Sequence, residues 1–114
     1  MTDSAAQVLT GTLEGATLLT LSRPGRANSL TPKLLTELVA AIGAAPAGRP
    51  LVLTGADDTF SAGGDILGFL AHAGDPQGLT AYGRDIVETL NQAILALCRF
   101  TAPVLAGVNG PVTG

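Results

Sequence analysis

Two short runs rich in Val, Leu and Thr, Val8 to Leu13 and Thr17 to Leu21, flank the dipeptide Glu14-Gly15. Gly tolerates positive φ, so this arrangement predicts an opening β-hairpin. Ser22-Arg23-Pro24-Gly25 then breaks the pattern. Thr31 stands ready to cap a helix whose first position is Pro32, where a missing N–H costs nothing. Leu34, Leu35, Leu38, Val39 and Ile42 share one helical face, and Gly43 is placed to end that helix. Leu51-Val52-Leu53-Thr54, a short apolar run between Pro50 and Gly55, reads as a strand buried on both faces and completes a βαβ step. A Gly- and Asp-rich region from Gly63 to Gly78 follows. Ile86, Leu90, Ile94 and Leu97 then recur at helical spacing, with Arg84, Asp85, Glu88 and Gln92 on the polar side of the same helix. Pro103 opens a last strand, Val104 to Val108, before the turn signal Asn109-Gly110-Pro111.

The alternation implies an α/β fold with a mostly parallel sheet and packed helices. In such sheets ligands bind where strand ends meet helix starts, which singles out the loops after Thr54 and after Val108. The sequence stops four residues past Gly110 with no helix to cover the last strand, and a buried parallel strand is a poor stopping place. The expectation is a single domain that is incomplete at its C-terminus. At 114 residues and 46% hydrophobic content the chain can form one small core, with no repeat or linker. A net charge of −3 with six scattered Lys and Arg residues offers no basic surface for a nucleic acid. Cys98 is the sole cysteine and lies in an apolar periodic stretch, so a buried thiol in a reducing compartment is expected. Asp3 without Lys or Arg ahead of an apolar run has the wrong order for a secretory leader. Every apolar run is interrupted well short of the ~18 residues a membrane helix needs. A soluble cytoplasmic protein with no membrane association is expected.

Phe60-Ser61-Ala62-Gly63-Gly64-Asp65 follows the buried strand and precedes Ile66-Leu67, so a turn leading into a short helix is expected. Adjacent glycines let a ligand approach the backbone, and outward N–H groups at a helix start suit an oxygen that becomes negative during reaction. A tight turn capped by Asp65 is the plainer alternative on spacing alone. The run resembles the pattern of the crotonase (enoyl-CoA hydratase/isomerase) superfamily: a strand ending in Thr-Gly, then Phe, a small residue, Ala-Gly, Ala or Gly, Asp, and Leu or Ile. Ser22-Arg23-Pro24-Gly25-Arg26-Ala27-Asn28-Ser29-Leu30 is similar to the family's Arg-Pro segment ending Asn-Ala-Leu. Ala102-Pro103-Val104 through Val108-Asn109-Gly110 is similar to its Pro-Val strand ending Val-Asn-Gly. The three motifs occur in the family's order and span most of the chain.

The resemblance implies the amino-terminal part of a crotonase-like fold that binds an acyl-CoA thioester, with coenzyme A arriving as part of the substrate and no other cofactor. It implies that the Gly64 N–H is one of two donors holding the thioester oxygen. Arg26, Ala27, Asn28 and Leu30 would lie along the CoA, and Ala62, Gly63, Asp65 and Ile66 would meet its pantetheine and adenine. Trans-2-enoyl-CoA hydration is the default activity, and a homotrimer or hexamer the default assembly. Two departures stand out. Ala27 replaces the Lys or Arg common before the Asn, so Arg26 either supplies a phosphate contact or is a solvated loop charge. Gly114 aligns with the first glycine of the turn that carries the second donor and the first catalytic Glu, so none of Asp57, Asp58, Asp65, Asp75, Asp85 or Glu88 matches the family's acids.

Other groups fit structural roles. His72 lacks metal-spaced partners and reads as loop surface, Asp57-Asp58 as a solvated turn, and Tyr82 as core. Gly107 to Gly114 lacks the Lys-Ser/Thr ending of a phosphate loop. Three functions are therefore carried forward: a hydratase or isomerase that is active only as a complete domain, a non-catalytic acyl-CoA-binding or assembly subunit, and another crotonase reaction such as hydrolysis or decarboxylation. A fragment partnered with its own C-terminal half fits the first of these.

Overall fold

The computed structural model describes residues 6–114; Asp3, weighed above against a secretory leader, lies outside them. β1 (Gln7–Leu13) and β2 (Ala16–Ser22) form the expected antiparallel hairpin, in register from Gln7 opposite Ser22 to Leu13 opposite Ala16. Glu14 and Gly15 both take positive φ, 46° and 87°, the two-residue turn whose twist matches paired strands. β3 (Leu51–Gly55) runs parallel to β2, and β4 (Val104–Gly107) runs parallel to β3, giving the sheet order β1-β2-β3-β4. No peptide bond is cis among the described residues.

α1 (Pro32–Ala44) begins as the sequence predicts: the Thr31 hydroxyl accepts a hydrogen bond from the Leu34 N–H at 3.2 Å, and Pro32 occupies the first turn. Its end differs. Gly43 lies inside the helix, and Ala45 is the residue that turns extended, at φ −68° and ψ 139°. Pro46 follows Ala45, and a residue before proline is pushed out of the helical region, so proline rather than glycine sets the boundary. Leu34, Leu35, Leu38 and Ile42 of α1 pack on Leu19, Leu21 and Leu51 of the sheet. Burying each of these side chains stabilises the fold by roughly 1.5–3 kcal/mol.

The Gly63–Gly78 region contains the short helix expected after Asp65. It holds α2 (Ile66–Leu70) and the first turn of α3, which runs Pro76–Cys98 and packs across α1. On α3 the buried residues are Ile86, Thr89 and Ala93, with Leu90 and Leu97 half-buried; the Thr89 hydroxyl is satisfied by the carbonyls of Asp85 and Ile86. Ile94 is 46% exposed and Cys98 is exposed, which corrects the expected apolar face and the expected buried thiol. At 3.6 residues per turn, Ile86, Ala93 and Leu97 fall nearly in line, while Ile94 and Cys98 lie about a quarter-turn or more around. α1 takes the former line. β3 is also less enclosed than expected: Leu51 and Gly55 are buried, and Val52, Leu53 and Thr54 are half-buried. β4 differs in the same sense, ending at Gly107 rather than Val108 and lying exposed along Val104, Leu105 and Ala106. Tyr82 is half-buried and stacks edge-on against Phe69, and the half-buried His72 lies against the Tyr82 ring.

Candidate functional site

Two loops meet beyond the ends of β2 and β3: Arg23–Leu30 and Ala56–Asp65. Their junction is built from polar side chains turned inward. Asn28 is 3% exposed; its amide donates to the Ala56 carbonyl at 3.1 Å and the Thr59 carbonyl at 2.9 Å, and its Oδ1 accepts from the Arg23 N–H at 2.9 Å. Asn28 also holds φ at 52°, a left-handed conformation that Asn tolerates better than most residues. Ser61 donates to the Asn28 carbonyl at 2.8 Å and accepts from the Gly63 N–H at 3.1 Å. Asn109 ties the loop from the other side, accepting from the Gly55 N–H and donating to the carbonyls of Gly55 and Asp57.

At the junction Leu30 and Gly64 form an isolated parallel bridge: the Leu30 N–H donates to the Gly63 carbonyl at 2.7 Å, and the Asp65 N–H donates to the Leu30 carbonyl at 3.0 Å. The Gly63 carbonyl and the Gly64 N–H belong to one trans peptide, in which C=O and N–H point in opposite directions. Because the carbonyl faces Leu30, the Gly64 N–H faces away from it. Gly64 is exposed, and no hydrogen bond from its N–H is recorded among the described residues. Gly63 supports this orientation with φ at 85° and closely approaches Gly114 of the last segment. That segment also runs beside the loop through a Ser61–Val112 bridge and a Thr113 N–H to Ser61 carbonyl bond of 3.1 Å.

Beside the Gly64 N–H lies an open groove of about 250 Å³ lined by Arg26, Ser29, Ala62, Gly64, Asp65, Ile66 and Leu67. Five of the residues expected from sequence, Arg26, Ala62, Gly64, Asp65 and Ile66, thus come together. Ile66 is 70% exposed and forms an apolar lip, and Arg26 is an exposed cation. Asp65 lines the groove but is 6% exposed. Its carboxylate caps α2 by accepting from the Gly68 N–H at 3.1 Å and pairs with the Arg23 guanidinium at 3.2 Å. The plainer expectation of a turn capped by Asp65 therefore holds alongside the exposed N–H. Ala27 and Asn28 instead line a neighbouring hollow of about 260 Å³ with Pro24 and Ala56–Thr59. Leu30 faces an apolar cleft under α3, and Gly63 is buried.

Ser29 falls within the Arg26 to Leu30 segment expected along the ligand, whereas Leu67 and the buried Arg23 are participants that sequence reasoning missed. An Arg-Pro pair at a strand end looks like surface charge, and the partner of Arg23 is 42 residues away in sequence. A larger hollow of about 370 Å³ between the C-terminal ends of α1 and α3 is lined by residues such as Val39, Ile42 and Phe100 and by none of the motif residues. No cluster of His, Cys, Asp and Glu that could hold a metal is present among the described residues, and no helix there is long and apolar enough to cross a membrane. The groove offers one backbone donor, a nearby cation and an apolar lip. A backbone N–H of this kind can donate to a carbonyl oxygen and stabilise negative charge that develops on it.

Residues 11–114 match the family described as enoyl-CoA hydratase/isomerase. The chain is 40% identical over 102 residues to a protein of Mycobacterium leprae named probable enoyl-CoA hydratase echA12, covering 85% of this chain and 34% of that protein. It is 28% identical over 109 residues to the peroxisomal enoyl-CoA delta isomerase 3 of Mus musculus, covering 94% of this chain and 33% of the relative. Among solved structures, an enoyl-CoA hydratase from Polaromonas sp. JS666 superimposes with a TM-score of 0.79 at 27% identity, over 91% of this chain and 40% of that one. The chain spans about a third of the length of the curated relatives it matches. On its fold, its loop junction and this match over most of its length, the chain belongs to the enoyl-CoA hydratase/isomerase family.

Proposed function

We propose that the full protein binds an acyl-CoA thioester at the groove beside Gly64 and hydrates a trans-2-enoyl-CoA. The observation that carries this reading is the Gly63–Gly64 peptide: its carbonyl is held by the Leu30 N–H, so its own N–H turns away from Leu30 at an exposed residue that lines the groove. A hydrogen bond from that N–H to the thioester oxygen strengthens as the oxygen gains enolate charge, so it lowers the barrier rather than merely aiding binding. Water then adds its oxygen to the β-carbon and a proton goes to the α-carbon, and both transfers need positioned acids and bases. Arg26, an exposed cation lining the groove, supplies the contact to a CoA phosphate in this reading, and coenzyme A enters only as part of the substrate. The full protein acts as a homotrimer or hexamer in the cytoplasm, a compartment that suits a lone unpaired cysteine.

A second reading has its own support. The only carboxylate lining the groove, Asp65, is buried, ion-paired and capping a helix, so residues 6–114 present a donor without a free general acid. This favours a segment that holds acyl-CoA while other groups do the chemistry, or a subunit that only binds. Following the loss of crotonyl-CoA's conjugated thioester absorbance separates the two: the hydratase reading expects turnover by the full protein, the binding reading saturable binding without it. Gly64→Pro deletes the donor and should lower turnover by roughly a hundredfold or more. A folded Gly64→Pro protein with wild-type turnover would remove Gly64 from the mechanism.

A further inference from the structure

We infer that Arg23 is a positioning residue for the Gly64 N–H, acting through a chain of two peptide groups; the inference rests on the thioester reading of that N–H. Arg23 lies at the end of β2, outside the groove, and is 4% exposed. Its Nη1 donates to the Ser29 hydroxyl at 2.6 Å and to the Ser29 carbonyl at 3.4 Å. The same guanidinium pairs with the Asp65 carboxylate at 3.2 Å, and the Ser29 hydroxyl reaches that carboxylate at 3.4 Å.

These contacts fall on the peptides that bracket Gly64. The Ser29 carbonyl, held by Arg23, shares a peptide with the Leu30 N–H; that N–H holds the Gly63 carbonyl, which shares a peptide with the Gly64 N–H. Fixing the first peptide therefore fixes the direction of the last. Hydrogen bonds in series also polarise one another, so a cation at the head of the chain strengthens the donor at its foot. Asp65 closes the arrangement from the other side of Gly64, since its N–H is held by the Leu30 carbonyl while its carboxylate is held by Arg23. An arginine suits the role because its planar fork can engage Ser29 and Asp65 together, which a lysine ammonium cannot reproduce in the same geometry.

The test uses the full-length protein labelled with 15N-glycine and saturated with butyryl-CoA, a thioester that has no double bond to hydrate. The wild-type Gly64 amide proton should move downfield on saturation. Asp65→Asn keeps a side-chain oxygen to cap α2 but ends the charge pairing, and it should lose about half or more of that movement. Ser29→Ala removes only a hydroxyl and should reduce the movement while keeping a cooperative melt, which covers the case in which the charge variant does not fold. Thr31→Ala, which weakens the cap of α1 without touching this chain of bonds, should leave the movement intact. A wild-type amide that ignores butyryl-CoA would overturn the thioester reading and this inference together. A wild-type response that persists unchanged in Ser29→Ala and in folded Asp65→Asn would overturn the inference alone.

Discussion

Gly63 and Gly64 are neighbours with opposite tolerances. A Cβ on Gly64 would meet only the Ile86 Cδ1 at 4.0 Å, whereas one on Gly63 would sit 2.7 Å from the Thr113 carbonyl oxygen at a φ of 85°. Gly64→Ala should therefore keep the fold and most of the turnover. Gly63→Ala should cost about 2 kcal/mol or more through left-handed strain and the clash with the last segment, measured as the shift in midpoint of a denaturant melt. Equal stability of the two variants would contradict the geometry. Asn28→Ala removes the side-chain hydrogen bonds that hold the Ala56 and Thr59 carbonyls and the Arg23 N–H, and should cost about 2–3 kcal/mol in the same melt. At this scale the sequence disclosed which residues gather but not which way they face. Asn28 and Asp65 were expected to meet ligand, yet their side chains serve the loop junction. The role proposed for the Gly64 N–H was singled out through resemblance to a family.

Elements were legible where their signals are local. Glu14-Gly15 and Thr31-Pro32 each act within one turn of chain, and the hairpin and the start of α1 follow from them. Gly43 carried a stop signal that Pro46 overruled, because proline excludes the helical conformation from the residue before it while glycine only weakens a helix. Gly43→Ala follows as a prediction: with nothing within 4 Å of its added Cβ, it should stabilise the protein by about 0.5–1 kcal/mol, read as a raised melting midpoint. Destabilisation would mean that Gly43 caps the helix after all. On α3, overlapping apolar stripes made the docked face ambiguous from spacing. Ala93 is buried in the core shared with α1 while Ile94 stays 46% exposed, and that choice depends on a neighbour 40 or more residues earlier in the chain.

At the scale of the molecule, the core of the described residues joins α1, one sheet face and one stripe of α3, while β4 stands at the sheet edge with Val104 and Leu105 exposed and Val108 exposed just past its end. An unpaired edge strand with apolar side chains invites pairing with another chain. Residues 1–114 prepared alone should therefore self-associate at micromolar concentration, detected as mass growth in light scattering; a stable monomer would contradict that expectation. The parallel arrangement of β2, β3 and β4 was legible because hairpin, helix and strand signals followed in order, but the open edge depends on what lies beside β4 in space. The central claim concerns the full protein: the Gly64 N–H donates to a thioester oxygen. Isotope-edited infrared spectroscopy of butyryl-CoA carrying 13C at its carbonyl measures this directly, because a hydrogen bond to the oxygen lowers the carbonyl stretching frequency. The account predicts a lowered frequency for ligand bound to the wild type and to Gly64→Ala, and a return toward the solution value for ligand bound to Gly64→Pro. An equally lowered frequency in folded, ligand-saturated Gly64→Pro would contradict it.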